Sequence, residues 1–492
     1  MQTIPGVKSI LLFIVCIKRI QGVFTINKKV FKPKSFRRDI LGVEQKVPTL
    51  GGKYLPYINF DNAASTPALQ PVVEEMQDFL QWYSGVHRGT GYKSLLSSQF
   101  YDDSHETIAN FVGADLDSQC VIMVKNTTEA INKLSYRLRF APGDVVISSM
   151  MEHHSNDLPW RNKARLKYAR VDQQGLLDLG DLKKLLQLYY PRVRLVTVCG
   201  ASNVTGHLNP IHQIAEMAHA YRAEILVDGA QLVAHHPVNM MKESDPRHID
   251  YLAFSGHKIY APFGSGVLIG PRKTFLQGEP EYSGGGNVDL VSRNKVWWTG
   301  LPEREEAGSP NVIGAFALAR SLQYLQKMGI EKLALYEEEL LLYARERLQK
   351  LPGIKIYGSF PRVAVISFNI KGLEHALLGS ILCFEAGVGV RTGCFCAQGY
   401  VRNLLGINEE SISAIYEGKE PALLPGMLRI SLAAYNTREE IDRLLKWLER
   451  IIAHQADFKK NYLFSPSFGA YIPRQWPRQA KTLWPFILPG WS

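Results

Sequence analysis

The chain has 492 residues, 46% hydrophobic and 21% charged, a composition that excludes a disordered or fibrous protein and is too long for one simple core. Its net charge of +11 sits at the ends: residues 1–38 hold nine Lys or Arg and no acid, residues 459–492 five and no acid, leaving 43 basic against 46 acidic residues between them. Such a body is not a nucleic-acid-binding surface, and six scattered cysteines form neither a disulfide framework nor paired zinc knuckles, so a reducing, cytoplasmic setting is expected.

Residues 1–53 read as a basic, poorly ordered leader. Its apolar stretch ILLFIVCI, residues 10–17, is far short of the roughly 20 residues that span a bilayer, so no membrane span is expected. Lys18 and Arg19 follow without a small-residue cleavage site; organelle targeting is the alternative use of this leader. Residues 54–330 alternate short β-branched runs (VIMV 121–124, VVIS 145–148, VRLVTV 193–198, ILVD 225–228, YLAFS 251–255) with amphipathic segments near 98–112, 128–139 and 211–222. That alternation predicts an α/β large domain with a mostly parallel sheet, whose ligands gather at the carboxyl ends of the strands. A long helix over 308–329 leads to a smaller α+β domain, 331–458, completed by part of the N-terminal segment. Its helices near 331–350 and 374–386 bracket the strand VAVISFNI (363–370), and a last helix follows Thr437. Residues 459–492 read as a Pro/Trp-rich tail.

Two strand ends carry chemistry. SGHK places Lys258 after an apolar run, where a desolvated amine can form a Schiff base; a surface lysine is the plain alternative. LVDGAQ places Asp228 likewise, either as a helix cap or as a carboxylate that keeps a pyridine nitrogen protonated. Together they meet the chemical requirement of pyridoxal phosphate. NTTEA, with Thr127 and Thr128, opens a helix suited to a phosphate, and MEHHSN offers the flat ring of His153.

The run of FDNAAST, VHRG, NTTEAIN, MEHHSN, ASNVTG, LVDGAQ, FSGHK, EAGSPNVIGA, VRTGCFCA and LRISLAAYNT, collinear from Asp61 to Leu448, resembles the class V aminotransferase-type pyridoxal-phosphate enzymes of fold type I. It is most similar to the cysteine desulfurases of the group that includes selenocysteine lyase. The resemblance implies a homodimer that takes L-cysteine to L-alanine and passes sulfur to an acceptor protein. It assigns Lys258 to the cofactor aldehyde, Asp228 to the pyridine nitrogen, Gln231 to the phenolic oxygen and His153 to ring stacking. Thr127, Thr128, Ser255 and His257, with Ser309 from the second subunit, would hold the phosphate, and Asn203, Arg391 and Arg429 the substrate.

RTGCFCAQG sets two thiols one residue apart. Neither a second CxxC nor a spaced His pair accompanies them, so no metal site is expected, and a disulfide across one residue would be strained. Core packing is the plain reading of either cysteine. The family motif RTGxxCA puts its nucleophile five residues after the arginine, which implies Cys396 rather than Cys394. Three departures stand out. Cys394 and Phe395 replace two histidines common in the group, Gly91 replaces another, and about 20 extra residues (404–426) precede Arg429. Selenocysteine lyase, aminotransferase or epimerase chemistry on the same scaffold, and a non-catalytic sulfur-relay or scaffold role, are the alternatives.

Overall fold

The computed structural model describes residues 32–172, 174–408, 425–465 and 470–475. Its centre is a seven-stranded sheet of β1 (Gln119–Val124), β2 (Val145–Ser149), β3 (Arg165–Ala169), β4 (Val193–Cys199), β5 (Glu224–Asp228), β6 (Tyr251–Ser255) and β7 (Gly266–Pro271), in the spatial order β1-β7-β6-β5-β4-β2-β3. Strands β6, β5, β4, β2 and β3 pair in parallel, while β7 runs antiparallel to both of its neighbours. The expected mostly parallel α/β sheet is therefore present. β2 and β6 are buried throughout, as covered parallel strands require, and β6 carries the continuous apolar run Tyr251–Phe254.

A second sheet of β8 (Ile354–Tyr357), β9 (Val365–Ile370), β10 (Arg391–Gly393) and β11 (Met427–Ser431) is antiparallel, in the order β8-β9-β11-β10. Helices Ile330–Leu348 and Arg438–Ala453 cover it, and their Leu340, Leu341, Leu444 and Leu448 join Ile366, Phe368, Leu428 and Ile430 in one core. The last helix begins at a capping box: Thr437 accepts from the Glu440 N–H while the Glu440 carboxylate takes the Thr437 N–H. Ile58 and Phe60 belong to the same core, and Ile58–Asn59 pairs in parallel with Val388–Gly389, so the N-terminal segment completes this unit.

The reading of residues 1–53 as a poorly ordered leader does not hold from Pro33 onward. Pro33–Arg38 is a short helix whose Phe36 is fully buried against the rings of Tyr260 and Tyr324, and Lys46–Pro48 pairs with Tyr54–Pro56. Charge counting hid this, because Arg37 is satisfied by Glu44 and by Glu440 of the last helix. The tail is likewise partly folded: Tyr462–Ser465 and Ala470–Pro473 form a hairpin against helix His375–Ile381. The apolar stretch 10–17, most of the extra residues 404–426, and residues 476–492 lie outside the described residues. Phe36→Ala is expected to lower stability by about 3–5 kcal/mol, the usual loss for an excavated aromatic, measured by urea unfolding.

Candidate active site

Five strand ends of the large sheet converge. β6 breaks into the turn Gly256–Lys258, so Lys258 emerges at its carboxyl end. β5 ends on buried Asp228, β1 leads through Asn126 into helix Thr127–Arg137, β2 leads to His153, and β4 leads to Asn203. Gly266 of β7 lets these pieces close up: a Cβ there would lie 2.5 Å from the backbone of Asn126.

Burial brings the Lys258 ammonium down to about 8 against the upward pull of Asp228; Arg429 adds to the lowering and Cys396 opposes it. A substantial share of this amine is neutral near physiological pH, the form that attacks a carbonyl. Burial raises the Asp228 carboxyl above its ordinary range, opposed by its hydrogen bond from the Ala230 N–H (3.0 Å) and by Lys258. His153 is held down to about 3 by burial, with Lys258, His154 and Arg429 adding to the effect, so its ring is neutral. Its Nδ1 accepts the Ser155 N–H at 3.1 Å, which leaves the ring proton on Nε2.

At the helix start, the Asn126 side chain caps Glu129 N–H, Ser255 Oγ accepts the Thr127 N–H at 2.8 Å and lies 2.6 Å from Thr127 Oγ1, and Thr128 Oγ1 is 2.7 Å from Ser155 Oγ. Hydroxyls and the positive end of the helix dipole therefore face one spot, an arrangement that suits an anion. His257 is kept neutral, down to about 4, by burial and by Lys258. Gln231 donates from Nε2 to the Ala63 carbonyl at 2.7 Å, while its buried Oε1 has no partner among the described residues. Ser309 is exposed on the loop before helix Val312–Met328.

The cysteine loop closes the site. Phe395 and Cys396 are consecutive non-glycine residues in the left-handed region, with φ of 54° and 55°. Their backbone is held from the large sheet: Asn203 Nδ2 donates to Phe395 O at 2.7 Å, and His154 N–H to Cys396 O at 2.7 Å. Cys396 is exposed, whereas Cys394 is half-buried, donates to Pro425 O at 3.1 Å, and has its thiol pushed up by burial, with Arg402 lowering it and Cys396 raising it. Core packing is thus not the role of Cys396.

Arg429 on β11 is only 3% exposed and lies against the Phe395 ring, 4.8 Å from its centroid. It donates to Asn203 O at 2.9 Å and to Asp61 Oδ1 at 3.0 Å, while Arg391, opposite it on β10, reaches Asp61 Oδ2 at 3.0 Å. Sequence reasoning missed this use of Asp61, although FDNAAST was among its motifs; a carboxylate in a run of small residues was the available signal. It also missed Glu152. Burial pushes that carboxyl up to about 7 against hydrogen bonds from Ser149 and Asn156.

The fold and this strand-end constellation define a protein of the class V aminotransferase type. The family model "Aminotransferase class-V" matches residues 58–444, and the chain belongs to that family. Within it the chain stands with the cysteine desulfurases: it is 37% identical to "Cysteine desulfurase" of Serratia proteamaculans over 82% of this chain and 94% of that one. It is 34% identical to "Probable cysteine desulfurase" of Mycolicibacterium paratuberculosis over 87% of this chain, and spans 59% of that longer relative. Among solved structures, the apo cysteine desulfurase of Thermococcus onnurineus superposes with a TM-score of 0.74 at 30% identity, covering 86% of this chain and 98% of that one. The cysteine desulfurase CsdA of Escherichia coli gives 0.72 at 29%, covering 86% and 99%.

The lowered Lys258 amine makes a testable claim about pH. Reductive trapping of an aldehyde by the protein is expected to accelerate as pH rises through about 8 and then level off. In Lys258→Ala that phase should be missing, and an unchanged profile would remove Lys258 from the site.

Proposed function

We propose that the chain is a pyridoxal-phosphate-dependent cysteine desulfurase that converts L-cysteine to L-alanine and leaves a persulfide on Cys396 for transfer to an acceptor. The observation that carries the reading is the exposed Cys396, fixed in a strained loop whose Phe395 packs on the buried Arg429 and whose thiol acts electrostatically on the strand-end Lys258.

The residues fit the cofactor. Lys258 supplies the amine for its aldehyde, Asp228 a buried carboxylate for its pyridine nitrogen, and the neutral ring of His153 a flat face. The hydroxyls at Thr127, Thr128 and Ser255 suit its phosphate, with His257 beside them, and Gln231 keeps a second amide hydrogen for its phenolic oxygen. When bound, pyridoxal phosphate supplies an electron sink for the substrate α-carbon.

The protein's own groups perform the rest. Arg429 takes the α-carboxylate in a bidentate fork, Asn203 holds both that arginine and the cysteine loop, and Arg391 guards the entrance through Asp61. Lys258, whose amine burial moves toward the neutral form, would be the base that moves the α-proton. The Cys396 thiolate then attacks the substrate sulfur. A sulfur–sulfur bond forms, the carbon–sulfur bond breaks with its electron pair left on carbon, and that carbon takes a proton to give alanine. The same arrangement is proposed to work as a homodimer, with Ser309 available to the second subunit.

Incubation with pyridoxal phosphate and L-cysteine should yield alanine and sulfide together in the presence of reductant; a keto acid instead would sink the reading. Cys396→Ser should still bind cofactor and substrate yet release almost no alanine, because a hydroxyl is a poor nucleophile toward sulfur, while Cys394→Ser keeps much of the activity. Mass spectrometry after a cysteine pulse should find the added sulfur on Cys396 first.

Arg429→Ala should raise KM for cysteine roughly 10- to 150-fold, the effect of losing about 1.5–3 kcal/mol of charge-assisted binding. Cysteamine, which lacks the carboxylate, should be a correspondingly poor substrate of the unaltered enzyme. Equal use of the two would remove Arg429 from carboxylate recognition.

A further inference from the structure

Phe395 lies between the two cysteines of the loop, and no step of the proposed chemistry uses it. Its ring is 8% exposed and covers one side of Arg429, whose guanidinium carbon stands 4.8 Å from the ring centroid. Its carbonyl accepts from Asn203 Nδ2 at 2.7 Å, and the Asn203 carbonyl accepts from Arg429 Nη1 at 2.9 Å. These contacts close a circuit among the cysteine loop, the loop after β4 and strand β11. A φ of 54° is one that a bulky residue rarely adopts, so the ring is held over Arg429 against local preference.

A buried guanidinium that is to bind a ligand has two needs that conflict. Its charge must be balanced, and its hydrogens must stay available. Carboxylates meet the first need at the expense of the second, since each one engages the donors that a ligand would use. In Arg429 the Asn203 carbonyl takes one N–H and Asp61 Oδ1 another at 3.0 Å, while Nε has no partner among the described residues. Donors therefore remain for a ligand.

The charge is less well served by these contacts. Asp61 is shared, because Arg391 reaches its other oxygen at 3.0 Å. Burial works against the Arg429 cation and so does Arg391, whereas Asp61 and, more weakly, the Cys396 sulfur support it. Lys258 and His153 stand close enough for Arg429 to disfavour their own cationic forms. One carboxylate thus serves two guanidiniums in a site that holds a further amine. The face of an aromatic ring is the neighbour that relieves this without engaging a donor: its quadrupole attracts a cation within about 6 Å, and it carries no oxygen to compete with a carboxylate.

We propose that Phe395 is a specificity-determining positioning residue, whose ring stabilises the buried charge of Arg429 while leaving its hydrogens for the α-carboxylate of an amino acid. Asn203 fixes the two parts relative to each other by holding the backbone of one and the guanidinium of the other. The inference rests on the reading of Arg429 as the carboxylate-binding group, and it is independent of what becomes of the substrate sulfur.

The test compares L-alanine with ethylamine, which differ only in the carboxylate and carry no sulfur. Each is titrated into the holoenzyme and followed by the visible absorbance of the cofactor, so the result does not depend on desulfuration. In Phe395→Leu, which keeps apolar bulk without the aromatic face, Kd for L-alanine should rise roughly 5- to 30-fold, the range from a partly to a fully desolvated cation–π contact, and Kd for ethylamine should stay within about twofold. Phe395→Tyr, which keeps the face, should restore the preference for L-alanine. In an Arg429→Ala background, Phe395→Leu should add nothing, because the two side chains act as one unit. Phe395→Met serves as the second variant if Phe395→Leu does not fold. Equal weakening of both ligands would reduce Phe395 to a structural role and overturn the proposal. So would an unchanged Kd for L-alanine in a folded variant, a Phe395→Tyr protein that behaves like Phe395→Leu, or a full further loss in the Arg429→Ala background. A parent protein that binds the two ligands alike would remove the carboxylate reading itself, and the proposal with it.

Discussion

The carboxylate of Asp61, held between Arg429 and Arg391, is the contact on which the proposed substrate pocket depends. A guanidinium as buried as that of Arg429 is stable only if its charge is balanced and its donors are used. Asp61 supplies the charge and the Asn203 carbonyl takes a second donor, while Nε has no partner among the described residues. These contacts tie together four distant parts of the chain: the entry segment at Ile58–Asp61, the loop after β4, and strands β10 and β11. A carboxylate arriving at Arg429 therefore meets a charge already balanced, and it must compete with or share the place of Asp61. That competition selects for a ligand that reproduces the carboxylate fork, since a neutral or singly accepting group offers less than Asp61 already does.

The same contacts carry strain to the cysteine loop. Two successive non-glycine residues at positive φ are unfavourable by about 1–3 kcal/mol each and persist only where their surroundings hold them. Asn203 and His154 each fix one carbonyl of this pair, and Ala397 N–H closes a turn onto Cys394 O. The cation face of Arg429 against Phe395 adds a further hold. The result separates two thiols that lie one residue apart in sequence. Cys396 is presented to solvent, and Cys394 is turned to a backbone carbonyl with its thiolate disfavoured.

Much of the large domain was legible because a covered parallel strand leaves a local record. YLAFS and ILVD are short apolar runs, and the polar residue that ends each must face the carboxyl edge of the sheet. Lys258 and Asp228 could be singled out on that ground alone, as could the helix start at Thr127. What escaped was non-local. Asp61 meets arginines 330 and 368 positions away, and no run of neighbouring residues announces such a partnership. Phe36 sat within a basic stretch whose charge dominated its reading, although a single aromatic is enough to anchor one turn of helix. The loop geometry at Cys396 was hidden for a different reason, because positive φ at Phe and Cys follows from tertiary contacts and runs against local preference.

The two ends of β6 illustrate how one strand serves both order and reactivity. At its carboxyl end burial is left partly uncompensated: the Lys258 amine is disfavoured as a cation, the imidazole of His153 is kept neutral, and the Asp228 carboxyl is raised. Each of these groups is thereby held in, or moved toward, the form that binds or exchanges a proton with an incoming molecule. At its amino end burial works to raise the Asp250 carboxyl, but hydrogen bonds from His219, His248 and the Ile225 N–H hold it below its ordinary range. The strand between has no side chain open to water, so it transmits position without dissipating it in side-chain motion. Rigidity in β6 is what lets Lys258 remain poorly solvated near Cys396, because a looser strand would admit water and restore the ordinary basicity on which the proposed chemistry cannot run.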